Sequence, residues 1–82
     1  MIKVIAARCT GDYSVTLEFS DGTVGEFDGR ALLQRSGTLL EPLRSADYFR
    51  RCFVDAGALC WPNGLELAPR RLREGVRLLE TA

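Results

Sequence analysis

Histidine is absent from this chain. Its absence removes Ser-His and Cys-His nucleophile pairs and histidine acid–base catalysis, and leaves no histidine to complete a tetrahedral zinc site. Net charge is absent as well: eleven basic and eleven acidic side chains cancel, so binding to nucleic acid or an anionic membrane would need a local patch. Lysine occurs once, at Lys3, against ten arginines, which reads as a bias of the coding background. No apolar run approaches the roughly 20 residues that carry a helix across a bilayer, and no membrane contact is expected. The N-terminus has no charged segment followed by a long apolar one, so a cytoplasmic location is expected. Phosphate-binding glycine loops are missing too, because Gly22, Gly25 and Gly29 match neither GxGxxG nor a GK[ST] ending.

What is present is the composition of a folded domain, 46% hydrophobic and 27% charged. With 82 residues the chain fits a single compact domain spanning 1–82, burying about 60% of the surface its unfolded form exposes. Ile2 to Cys9 reads as a strand, and its consecutive Val4, Ile5, Ala6 and Ala7 suggest cover on both faces. From Tyr13 the pattern alternates: Tyr13, Val15, Leu17 and Phe19 share one face, and Ser14, Thr16 and Glu18 the other. Ser20-Asp21-Gly22 turns the chain into a returning strand, Thr23 to Phe27, in which Gly25 marks a bulge or a close neighbour. Asp28 can cap a short helix over Arg30 to Gln34, and Ser45 another through Tyr48 and Phe49. Leu39, Leu40 and Leu43 read as a buried connection around Pro42.

A second hairpin turns about Ala56-Gly57 and sets Phe53 opposite Cys60. Pro62-Asn63-Gly64 is a turn, Leu65 to Leu67 a stub of strand, and Pro69 opens a closing helix from Arg70 to about Glu80. The fold class expected is α+β: a small antiparallel sheet built from two hairpins plus an N-terminal strand, with short helices and a C-terminal helix packed on it.

Phe19-Ser20-Asp21-Gly22, Asp47-Tyr48-Phe49, and Val54-Asp55 leading to Cys60-Trp61-Pro62-Asn63-Gly64-Leu65-Glu66-Leu67-Ala68-Pro69 follow one another in a specific order and spacing. In these the chain resembles the small bacterial domain-of-unknown-function family numbered 2442, from Ile2 to about Leu72. The resemblance implies a compact α+β fold with no established activity. It also implies a place alone, beside a helix-turn-helix domain, or in arrangements similar to toxin and antitoxin pairs. The chain departs from the family pattern after Pro69, where Arg70, Arg71 and Arg73 stand in place of an acidic residue and a later aromatic.

The residues that carry chemistry are few. Cys9, Cys52 and Cys60 have no CxxC spacing and read as small, reduced, apolar side chains. Asp21, Glu26 and Asp28 are explained by a turn, a solvent face and a helix cap rather than by a cation. No cofactor or metal is expected. Trp61, Pro62, Asn63 and Gly64 form the most distinctive segment, a structural turn with the indole in the core. On the closing helix, Leu72, Val76 and Leu79 make a docking stripe. Arg70 and Arg77 pair with Glu74, and Arg77 also with Glu80.

The helix leaves Arg71, Gly75 and Leu78 for a protein contact, either with a second copy or with a small partner. The functional expectation is a non-enzymatic protein-interaction module, the regulatory or neutralising member of a toxin-antitoxin-like pair. One alternative is a nucleic-acid-binding accessory domain in which Arg70, Arg73 and Arg77 touch phosphates alongside Arg71. A second is an enzyme with a carboxylate site.

Overall fold

A computed structural model describes residues 1–80. The chain is α+β, and its strands divide between two antiparallel sheets. In the first, β1 (Val4–Cys9), β2 (Ser14–Phe19) and β3 (Val24–Asp28) form a meander, and β7 (Arg77–Glu80) adds to the far side of β3. In the second, β4 (Phe53–Asp55), β5 (Ala58–Cys60) and β6 (Glu66–Leu67) pair in sequence order. Three helices, α1 (Gly29–Leu33), α2 (Ala46–Phe49) and α3 (Pro69–Gly75), and two 3-10 turns fill the connections.

The alternation along β2 decides which face of the first sheet is inside. Val15, Leu17 and Phe19 are fully buried while Glu18 faces solvent, the arrangement a half-covered antiparallel strand requires. Against them pack Leu32, Leu43, Phe49, Leu59, Trp61 and Leu72. Because the helices and the second sheet gather on that one face, β1 is not covered on both sides as its apolar run suggests. Val4 is buried, but Ile5 is 54% exposed, the extra residue of a bulge between Val4 and Ala6.

The two sheets are joined through backbone. Val4 N–H donates to the Gly57 carbonyl at 2.9 Å, at the corner where Ala56 and Gly57 both take positive φ, 52° and 82°. Two positive φ values suit the right-handed twist of a tight hairpin, and the register sets Phe53 opposite Cys60 as the sequence indicates.

The closing helix is shorter than its periodicity suggests. It ends at Gly75, and residues 77–80 are strand, not helix. Gly75 is a poor helix former and Val76, at the C-cap, is extended at ψ 153°. Val76 then drops its side chain onto Gly25, where a Cβ would lie 2.6 Å from Val76 Cγ2. That close approach is the reason for a glycine inside β3, and it delivers Arg77 and Leu78 to pair with Glu26 and Gly25.

Candidate functional site

Asp28 fixes the start of α1: its carboxylate accepts the Arg30 backbone N–H at 2.9 Å, one of the orphan donors of a helix N-terminus. Ser45 occupies the equivalent position before α2 without a side-chain capping bond. After α1 the chain is held down by side chains from elsewhere. The Arg44 guanidinium donates to the Leu33 and Arg35 carbonyls at 2.9 and 3.2 Å, and Asn63 Nδ2 donates to the Leu39 carbonyl at 2.9 Å. The connection expected to be buried is split, with Leu40 and Leu43 inside and Leu39 46% exposed.

Pinned this way, α1 and the Leu40 turn stand opposite β6 and α3 across an open cleft of about 590 Å³. Buried Leu32, Leu40 and Leu72 line its depth, with Phe27, Leu65 and Leu67 partly exposed above them. Arg35, Glu66 and Arg71 border it and are exposed. Among the described residues no carboxylate lies within ion-pair distance of Arg35 or Arg71. The result is an apolar trough edged by two guanidinium groups and one carboxylate.

The residues singled out from sequence fall in different places. Arg71 lines the cleft. Leu78 is 46% exposed, as its position on a helical wheel suggests, but it lies on edge strand β7. The wheel that grouped it with Gly75 and Arg71 ends at Gly75. Leu79, expected in the docking stripe, is 50% exposed for the same reason.

Among the described residues Glu74 pairs with neither Arg70 nor Arg77, and Arg77 and Arg73 instead take long-range partners. Arg77 reaches Glu26 on β3 at 3.3 Å. Arg73 reaches Asp21 at 3.4 Å and lies 6.0 Å from the centre of the Phe19 ring. Of the three arginines assigned to phosphate, two are therefore engaged with carboxylates and Arg70 alone has no such partner among the described residues.

Asp21 itself is held below the ordinary carboxylate range, first by the Thr23 hydroxyl at 2.6 Å, then by the Thr23 N–H at 3.0 Å, with Arg73 adding to both. Asp21, Glu26 and Asp28 each have a separate partner. Among the described residues no three His, Cys, Asp or Glu side chains converge as a cation site would need.

Trp61 is 1% exposed. Its indole Nε1–H donates to the Phe49 carbonyl at 2.9 Å, and Gly64 N–H closes the turn onto the Trp61 carbonyl. Asn63 serves both sides of that turn, accepting Leu65 N–H on Oδ1 and holding Leu39 by Nδ2.

A pair the sequence did not signal lies at the end of β1: Cys9 Sγ is 3.8 Å from Cys52 Sγ, across 43 residues of chain. Burial, then the neighbouring Cys9, pushes the Cys52 thiol up to about 12. Burial also raises Cys60, reinforced by Glu66 and Asp55. Arg35 was missed for a similar reason, since it follows a short helix with no motif around it.

Among the described residues, two small antiparallel sheets, three short helices and an apolar cleft edged by arginine define a small α+β protein. The chain belongs to the family described as protein of unknown function (DUF2442), whose model matches residues 4–77. No curated protein and no solved structure matches it. Among the described residues no helix is long and apolar enough to cross a membrane.

Proposed function

We propose that this chain is a bacterial, cytoplasmic, non-enzymatic interaction module that binds a small partner protein, as the regulatory or neutralising member of a pair. The observation that carries this reading is the cleft between α1 and α3, apolar in its depth and bordered by Arg35 and Arg71, which have no carboxylate partner among the described residues. Its fitting occupant is a partner segment whose apolar side chains fill the trough and whose flanking Asp or Glu residues meet the two guanidinium groups. Burying apolar surface supplies roughly 25 cal/mol per Å². Arginine paired with a carboxylate adds direction, through two parallel hydrogen bonds.

The test begins with co-purification of the untagged chain from its native cell and continues with reconstitution from the purified components. A stoichiometric small protein that rebinds the wild-type chain, and rebinds Arg35→Glu/Arg71→Glu about tenfold or more weakly, is the expected result; tenfold corresponds to about 1.4 kcal/mol. Rebinding unaffected by the double charge reversal sinks the cleft as the docking surface. Nucleic acid in place of protein would favour the reading in which Arg70, Arg73 and Arg77 contact phosphates, which has less support because Asp21 and Glu26 hold two of those side chains.

A further inference from the structure

We propose that Cys9 and Cys52 form a redox modification site, in which a hydroperoxide converts the two thiols into an intramolecular disulfide. Cys9 is the last residue of β1, and Cys52 lies in the short link between α2 and β4. Their sulfurs are in contact at 3.8 Å, both free and both half-buried. The third cysteine serves as an internal comparison, because Cys60 is buried in β5 and its thiol contacts the Ala58 carbonyl.

A disulfide needs its sulfurs at about 2.05 Å. Closing the remaining gap, roughly 1.8 Å, is within the reach of side-chain rotation for two thiols already in contact.

The reaction proceeds in two balanced steps. Cys9 sulfur attacks the hydroperoxide, the O–O bond breaks, and Cys9 becomes a sulfenic acid while an alcohol, or water from hydrogen peroxide, departs. Cys52 sulfur then attacks Cys9 sulfur, the S–O bond breaks, and the departing hydroxide takes the Cys52 proton and leaves as water. Two thiols are oxidised by two electrons and one hydroperoxide is reduced. Burial, then the neighbouring Cys9, raises the Cys52 thiol, which disfavours its thiolate as the first attacking form. The attack on the hydroperoxide is therefore given to Cys9, and Cys52 loses its proton to the departing hydroxide. The product ties the end of β1 to the link that follows Phe49, beside the indole contact of Trp61.

The experiment treats the full chain with hydrogen peroxide, blocks remaining thiols with iodoacetamide after denaturation, and maps the peptides by mass spectrometry. The expected product is a monomer lighter by two hydrogen atoms, with Cys9 and Cys52 linked, only Cys60 alkylated, and a higher melting temperature. Cys9→Ser and Cys52→Ser should each abolish the link and the shift. The proposal is overturned if oxidation stops at sulfinic acid, joins separate chains, or leaves Cys9 and Cys52 open to alkylation. If a serine variant does not fold, as judged by circular dichroism, the wild-type peptide map decides alone.

Discussion

The Trp61 indole donates its N–H to the carbonyl of Phe49 at 2.9 Å while the two rings lie 5.5 Å apart. One residue thus satisfies the other's backbone and fills the space beside its ring. Tyr13 extends the contact, meeting Phe49 edge-on at 5.5 Å. The arrangement ties the second sheet, through the turn after β5, to α2 and to the entrance of β2.

Replacement of Trp61 by alanine is therefore expected to cost about 3 to 5 kcal/mol, the range for emptying a large aromatic site in a core. Trp61→Phe keeps most of the packing and loses the hydrogen bond, so its cost should be about 1 to 2 kcal/mol. Urea melts of the two variants beside the wild type read both values. Equal, small losses would place the indole outside the cooperative core.

Two glycines make an opposed pair of expectations. A Cβ at Gly29 would sit 2.3 Å from Phe49 Cζ and 2.9 Å from the Tyr13 carbonyl, so Gly29→Ala should destabilise by about 1 to 3 kcal/mol through overpacking. A Cβ at Gly75 meets nothing within 4 Å. Gly75→Ala should stabilise by about 0.4 to 1 kcal/mol, by narrowing the unfolded ensemble at a helical position. A shift of the two melting midpoints in the same direction would contradict this reading of the packing.

Stability should fall in alkaline solution through Cys52. Its folded thiol is raised to about 12 from an ordinary value of 9.0, first by burial, so the folded chain holds that proton more tightly than the unfolded one. The contribution is whole below about 9 and is lost as the pH climbs toward 12. Denaturant midpoints recorded across that window should drop less steeply for Cys52→Ala than for the wild type. Parallel curves would show that the thiol is not the group responsible.

Asp21 works in the opposite direction. Thr23 and Arg73 hold its carboxyl low, so what it contributes is present above the ordinary carboxylate range and fades as the pH falls through the lowered folded value. Asp21→Asn should flatten the acid limb of the stability curve. An unchanged acid limb would assign that limb to other carboxylates.

Much of this fold was legible because its signals are local. Alternation from Tyr13 to Phe19 identified the buried face of β2, and the two-residue corner at Ala56-Gly57 fixed the register of Phe53 against Cys60. The stretch after Gly75 misled because Leu72, Val76 and Leu79 satisfy a helical spacing, while the partner that makes residues 77–80 a strand is β3, about fifty positions earlier. The cleft and the thiol pair were hidden for the same physical reason. Arg35 and Arg71, like Cys9 and Cys52, are brought together by tertiary packing, and no short-range pattern encodes that proximity.

The pairing of Gly25 with Leu78 has a kinetic side. The β2–β3 hairpin closes through a four-residue turn, whereas β7 must return across the whole second sheet before its first hydrogen bond forms, and loop closure of that length is entropically costly. β7 is also an edge strand of its sheet, and the other edge strand, β1, is tied to the second sheet by the Val4–Gly57 hydrogen bond. β7 should be the last strand to dock and the first to open, so its amide hydrogens will exchange with solvent by local fraying while those of Val15 and Leu17 wait for global unfolding.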